Sequence, residues 1–339
     1  MNETPVLADG PAAAVARPAR GGLRKGVAAA AERAGVAGAL ALLVIVFSVS
    51  APYFLTVDNL LDVARQISVT AILGAGLTLV IMTAGIDLSV GSAVGVTAFV
   101  AVRLSVGGAP AAAAVAAALA AGLLVGAVNG VLVARLRLAA FIVTLAALTY
   151  LRGLTYVGTD GKTLFSTTLG YAWLGHGTVL GVPVPVVVMV AVFAAGWYLL
   201  NRTVFGRWVH AVGGNAEAAR LAGIPVRRVL AGVYVLSGLC AGIGGVIASA
   251  RLQSAVPDLG TGYELSAIAA VVLGGTSLLG GKGSLVGTLA GAAIIGVLVN
   301  GLTLLDVSTF YQQIIQGVVI VLAVVLDRLR TRGATEVNP

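Results

Sequence analysis

Charge is what this sequence has least of. Only 10% of its 339 residues are Asp, Glu, Lys or Arg, against the ~25% of an ordinary soluble domain. Apolar residues supply 59% of the chain, and mean hydropathy is +1.03. Such a chain is neither a soluble globule nor disordered. Cysteine is almost missing: the single Cys240 excludes an intrachain disulfide. The two histidines, His176 and His210, have no Cys or His near them in the chain, which argues against a structural metal site. The 13 carboxylates lie mostly in the tails or at the ends of apolar runs. No Ser/His/Asp set or His/Glu pattern has the spacing that convergent catalytic groups need. A phosphate-binding loop is imitated twice and never completed. Gly161-Lys162-Thr163 has Tyr156 where that loop needs its first Gly, and Gly281-Lys282 has Thr276 there and Gly283 after the Lys. The chain is therefore expected to be no enzyme and to bind no cofactor. If ATP drives its work, a partner must supply the site.

What the chain has in quantity is apolar runs of bilayer length, roughly 20 residues each. Breaks at Gly, Pro and charge divide it into ten candidate spans: 36–54, 66–84, 90–106, 111–134, 139–157, 181–200, 229–250, 264–279, 284–303 and 311–327. The expected fold is all-α, a polytopic membrane helical bundle of about ten transmembrane helices with both termini in the cytoplasm. Residues 1–35 read as a disordered basic tail, 36–327 as the transmembrane domain and 328–339 as a C-terminal tail. The run from Val36 to Phe54 is too long for the core of a signal peptide, and no small-residue cleavage site follows it. The net charge of +8 would suggest nucleic acid in a soluble protein. Here it reads as Lys and Arg flanking spans, with lipid rather than nucleic acid as the partner. With the N-terminus inside, 16 of the 21 basic residues fall in the segments assigned to the cytoplasm, as the positive-inside rule requires. Two connections exceed simple turns: an external one at 158–180, and a basic cytoplasmic one at 201–228.

Four features stand out from this background. The segment Thr83-Ala84-Gly85-Ile86-Asp87-Leu88-Ser89-Val90-Gly91-Ser92 interrupts an apolar stretch in which Asp87 is the only charge. A carboxylate there either caps a helix at the cytoplasmic membrane edge or lines a cavity, and the two are compatible. In the long cytoplasmic connection, Gly213 and Gly214 predict a turn. Asn215 predicts an N-cap and Ala216–Ala222 a two-turn helix, stopped by Gly223 and Pro225. With nothing of its own to pack on, that helix suits the groove of a partner protein. Glycines 122, 126 and 130, and 287 and 291, form four-residue ridges that let helices approach closely. Finally, Gly126-Ala127-Val128-Asn129-Gly130 recurs loosely as Gly296-Val297-Leu298-Val299-Asn300-Gly301. In the expected topology the two copies run in opposite directions, as in an inverted pseudo-repeat; Asn129 and Asn300 equally suit interhelical hydrogen bonding.

Together these residues resemble the membrane permease subunits of bacterial ABC importers for ribose and related simple sugars. The matching segments run from about residue 40 to 327. They include Ala84-Gly85-Ile86-Asp87-Leu88-Ser89-Val90-Gly91, Val128-Asn129-Gly130, Phe141-Ile142-Val143-Thr144-Leu145, Gly213-Gly214-Asn215-Ala216-Glu217-Ala218-Ala219-Arg220, Tyr263-Glu264-Leu265 and Ile268 to Ser277. Ala84 departs from the Gly usual in the family. The resemblance implies a homodimer or permease heterodimer, multi-pass in the bacterial inner (plasma) membrane. It implies cytoplasmic ATPase subunits carrying ATP-Mg and an extracytoplasmic sugar-binding protein. It implies that Asn215, Glu217, Ala218, Ala219 and Gly223 form the coupling helix that contacts the ATPase. On this reading the chain translocates a ribose-like pentose or a hexose by alternating access. Asp87, Ser89, Asn129, Thr144 and Asn300 are the candidates for the translocation pathway or its gates. Asp258 and Glu264 are expected at the external mouth, meeting the binding protein or simply solvated. A permease for branched-chain amino acids or nucleosides, and a stand-alone secondary transporter, are the alternatives.

Overall fold

The computed structural model describes residues 21–335. Its helices are α1 (Gly21–Ser50), α2 (Val57–Met82), α3 (Val90–Val106), α4 (Ala111–Ala134), α5 (Ala140–Thr159), α6 (Trp173–His176), α7 (Val184–Arg202), α8 (Val204–Gly214), α9 (Ala216–Leu221), α10 (Val226–Leu252), α11 (Tyr263–Leu273), α12 (Leu285–Leu304) and α13 (Thr309–Thr335). Four two-residue strands complete it: β1 (Leu164–Phe165) pairs antiparallel with β4 (Ser254–Ala255), and β2 (Thr178–Val179) with β3 (Val182–Pro183). The fold is all-α. Six helices, α2, α4, α5, α7, α10 and α12, are long and apolar enough to cross a membrane. At the other four positions where spans were expected, α1, α3, α11 and α13 hold shorter apolar stretches of 10–17 residues.

Several boundaries differ from the expectation, each for a local reason. Helix α1 begins at Gly21, so the tail expected to be disordered to residue 35 is helical from 21; residues 1–20 lie outside the described residues. Helix α13 runs to Thr335, through most of the expected C-terminal tail. Helix α2 starts at Val57 rather than 66, because the Thr56 side chain accepts from Asn59 N and the polar first turns, with Asp58, Asp62 and Arg65, escape a hydropathy window. Helix α11 stops at Leu273, where Gly275 turns the chain at φ +83°. Its 11 residues rise only ~16 Å, about half a bilayer core. The turn expected at Gly213-Gly214 is absent: helix α8 runs through both glycines, and the chain breaks at Asn215.

The core forms around α10, which packs on α2, α3 and α4. Between α4 and α10 the contact is backbone to backbone. Gly122, Gly126 and Gly130 face the carbonyls of Gly238, Tyr234 and Ala231 with no room for a side chain. Gly287 and Gly291 meet Gly274 and Ala270 of the α11 segment in the same way. In a bilayer, apolar burial between helices gains little over lipid contact, so such close approach carries the association.

Two connections turn back into this core. After α2 ends at Met82, Ala84 (φ +59°) reverses the chain. Asp87 then reaches Ser237, the residue against which Gly76 of α2 packs. Six helical residues separate Gly76 from Met82, so Asp87 lies ~9 Å inward of the end of α2. The segment 85–89, expected as a cytoplasmic loop, is instead part of the bundle interior. From the opposite end, the chain leaves α10 at Leu252, pairs β4 with β1, and turns inward through Gly260 and Gly262, both at positive φ. Gly260 packs on Gly91, and the Leu259 carbonyl on Gly95. The starts of α3 and α11 therefore meet inside the bundle.

Candidate functional site

Asp87 is the centre of the first cluster. Its side chain is 2% exposed. Oδ1 accepts from Ser89 N at 3.0 Å and Ser89 Oγ at 2.6 Å, and Oδ2 accepts from Ser237 Oγ at 2.8 Å. Asn129 Nδ2 donates to Ser89 Oγ at 2.9 Å. One residue earlier, the Ile86 carbonyl accepts from Thr144 Oγ1 at 3.1 Å and from Tyr234 OH at 3.3 Å. Three helices thus hold one short loop: α4, α5 and α10. A carboxylate removed from water is tolerated only when donors replace its hydration, and three donors do so here. Asn129 Oδ1 is buried with no partner among the described residues.

Four of the five sequence-predicted pathway residues, Asp87, Ser89, Asn129 and Thr144, are brought together. Asn300 is not. It exchanges two amide hydrogen bonds with Asn59, at 2.8 and 3.1 Å, at the far end of α2. Ser237 and Tyr234 were missed. A lone hydroxyl in an apolar helix gives no signal for a partner 150 residues away.

A second cluster ties the two inward loops together. Gly91 has no room for a Cβ, because the Glu264 carboxylate and the Gly260 carbonyl occupy the space. Glu264 is 8% exposed; its Oε1 accepts from Gly262 N at 3.2 Å, and its Oε2 has no partner among the described residues. Arg152, midway along α5, donates from Nε to Ser92 Oγ at 3.3 Å and from Nη1 to the Asp258 carbonyl at 3.1 Å. Glu264 was expected at an external mouth and is instead packed against α3, because the glycines at 260 and 262 let the chain plunge inward. Arg152 was missed, although a cation inside a span is by default a functional residue and could have pointed to it.

The third cluster lies at the Met82 end. Asn215 Oδ1 accepts from Glu217 N at 3.0 Å and Ala218 N at 2.9 Å, capping α9 as the sequence predicts. Gly223, at φ +80°, ends the segment. Glu217 and Arg220 form a bidentate pair at 2.6 and 3.0 Å on the exposed face. The Arg220 guanidinium holds the Glu217 carboxyl below the usual carboxylate range, so it stays ionised at neutral pH. Leu221 beside them is 75% exposed. The helix does have packing of its own, contrary to expectation: Ala219 is buried against the core. Helix α8 carries it. Gly213 of α8 packs on the Met82 carbonyl and on Gly281, and Gly281 N donates to Met82 O at 2.9 Å. Gly280 touches Ala84. A continuous chain of contacts therefore runs from exposed α9, through α8, to the loop that carries Asp87.

Residues 59–324 match the family model described as branched-chain amino acid transport system / permease component. The ribose import permease protein RbsC of Escherichia coli K12 is 52% identical over 293 residues, 85% of this chain and 91% of that one. The D-allose transport system permease protein AlsC of the same strain is 39% identical over 292 residues, 86% of this chain and 90% of its own. The L-arabinose ABC transporter permease protein AraH of Azospirillum brasilense is 38% identical over 320 residues, 94% of each chain. No solved structure matches the chain significantly.

Proposed function

Because the chain belongs to the family of branched-chain amino acid transport system permease components, and resembles sugar permeases along most of its length, we propose that it carries a simple sugar across a membrane. It is the permease subunit of an ABC importer for sugar and not an enzyme. The observation that carries this is the 52% identity to a ribose permease over 85% of the chain. The substrate in this reading is a pentose or hexose of the ribose, allose or arabinose type.

The chain sits in the bacterial inner membrane with ten spans and both termini inside; the basic residues at the Met82 end support that orientation. Two permease chains form the translocator. A partner ATPase carries ATP-Mg and grips α9 through Glu217, Ala218 and Leu221, with Asn215 and Gly223 fixing the helix ends. A binding protein delivers sugar at the opposite face. Motion of α9 passes through α8 and Gly213 to the end of α2 and to the loop of Asp87, Ser89, Asn129 and Thr144. That loop and the 256–264 segment meet at Gly91 and separate in turn to admit and release the sugar. Discontinuous helices meeting inside a bundle are the recurrent device of alternating access.

The test is uptake by the permease reconstituted in proteoliposomes with its ATPase and binding protein. ATP-dependent accumulation of labelled ribose, allose or arabinose supports the reading. Accumulation of leucine but no sugar moves the chain to amino-acid transport. Accumulation by the permease alone, without an ATPase, makes it a secondary transporter.

A further inference from the structure

At the Leu252 end of the bundle lies an open cavity of about 560 Å³ that none of the three clusters uses. Its size is that of a small-molecule site, roughly 300–1,000 Å³. Trp173, His176 and Gly177 form one wall, and Arg251, Leu252 and Gln253 the other. The walls are fixed to each other. Tyr171 OH meets Ser249 Oγ at 3.2 Å, Gly175 packs on the Ala250–Arg251 backbone with no room for a Cβ, and Ser166 N donates to the Gln253 carbonyl. The Trp173 ring, 57% exposed, rests on Gly177, where again a Cβ would collide. Gln253 holds a left-handed backbone at φ +49°, a strain that in non-glycine residues gathers at ligand clamps.

The polar side chains of this cavity are spare. Among the described residues, the Arg251 guanidinium, the His176 imidazole and the Gln253 amide make no hydrogen bond or ion pair with the protein. An exposed indole face offers an apolar platform. Around it stand a five-donor fork, an amide with donors and an acceptor, and an imidazole with one of each. That set matches a ring with an apolar face and a rim of hydroxyls. It does not match an amino acid, since no carboxylate lines the cavity to meet an ammonium group.

We propose that this cavity is a monosaccharide entry subsite on the permease itself, with the sugar ring stacked on Trp173 and its hydroxyls bonded by Arg251, Gln253 and His176. The inference rests on the sugar-import reading above and locates where the sugar first meets the translocator. Position supports it: the chain leaving Gln253 is the one that plunges inward to Asp258 and Glu264 at the junction of the loops.

Trp173 is one of three tryptophans in this chain, so Trp197→Phe and Trp208→Phe leave it as the permease's only indole, and subtracting the signal of the same importer that also carries Trp173→Phe removes that of the partner chains. The assembled importer bearing these two changes, in nanodiscs without binding protein, is titrated with ribose, allose, arabinose and leucine. At least one sugar is expected to change Trp173 emission saturably, and leucine is not. Arg251→Gln is expected to weaken that response about tenfold, as the loss of a charged hydrogen-bonding group would. His176→Ala, at an exposed position that cannot unfold the bundle, is expected to weaken it about threefold. No saturable response up to about 100 mM, an equal response to leucine, or a sugar response untouched by both variants overturns the subsite. The two readings fail separately: if the intact importer accumulates sugar while Trp173 stays silent, only the subsite falls. If no sugar is accumulated at all, the import reading falls first.

Discussion

Asp87 shows how one buried charge organises a loop. Its two oxygens take three hydrogen bonds, from Ser89 twice and from Ser237 once. Ser237→Ala leaves Oδ2 buried without a donor, and an unsatisfied buried group costs ~1–3 kcal/mol, more when charged. The purified permease is expected to melt at a clearly lower temperature after this change. Ser237→Thr, which keeps the hydroxyl, is expected to restore most of the loss; equal melting of all three proteins would refute the hydrogen bond. Gly91 gives a second test of the same kind. Gly91→Ala puts a methyl group where the Glu264 carboxylate lies and is expected to abolish uptake. Glu264→Ala removes only the side-chain part of that obstruction and leaves the Gly260 carbonyl in place, so the double variant is expected to recover folding in part, but not to the parent's level, as judged by detergent gel filtration. Asp87 was legible in the sequence because it is a lone carboxylate in an apolar stretch. Ser237 was not, because its partner lies far away in the chain and a hydroxyl does not disturb helical hydropathy. Asn300 follows the other of its two readings, an interhelical hydrogen bond from α12 to Asn59 of α2, because a local likeness to the Asn129 segment says nothing about which side chain its amide meets.

At the scale of elements, hydropathy finds helices and misjudges depth. The boundaries of α3 and α4 fell where the apolar runs end, at 90–106 and 111–134. The same runs concealed that the start of α3 and one face of α11 lie inside the bundle, because inward loops lined by glycine are as apolar as spans. The α9 helix was legible from Asn215 and Gly223, since capping is local chemistry. Its support by α8 was not, because glycines 213 and 214 read as a turn until Met82 and Gly281 are seen packed against the first of them. That packing makes a sharp prediction about coupling. Gly213→Val has no space against the Met82 carbonyl, so α8 must shift from the end of α2. The complex is expected to keep hydrolysing ATP while sugar uptake falls at least about tenfold, a measurement that separates coupling from assembly. Glu217→Arg acts one step earlier. The exposed pair it breaks contributes little to the fold, so the melting temperature is expected to stay unchanged. Co-purification of the ATPase is expected to be lost, since two like charges at 217 and 220 would then face the partner. Retained ATPase would remove α9 from the coupling path.

The whole molecule is a bundle in which two inward loops, entering from opposite ends, are held together by a side chain from a third element. Arg152 is that side chain. Its guanidinium reaches Ser92 on the α3 side and the Asp258 carbonyl on the α11 side, through different nitrogens of one planar fork. A lysine offers a single point of donation and cannot span both partners. Hydrogen bonds from charged groups are worth ~1.5–3 kcal/mol net. Arg152 is only half buried, so the lower figure applies, and ~1.4 kcal/mol is already tenfold in a conformational equilibrium. Both Arg152→Gln and Arg152→Lys are therefore expected to loosen the junction. In proteoliposomes without ATP, preloaded sugar should leak out about tenfold faster from either variant than from the unaltered protein. If Arg152→Lys proves as tight as the parent, charge alone holds the loops together and the two-sided fork is not the tie. If neither variant leaks, the closure of the pathway rests on the backbone contact of Gly91 with Gly260, and the arginine serves only to position α5.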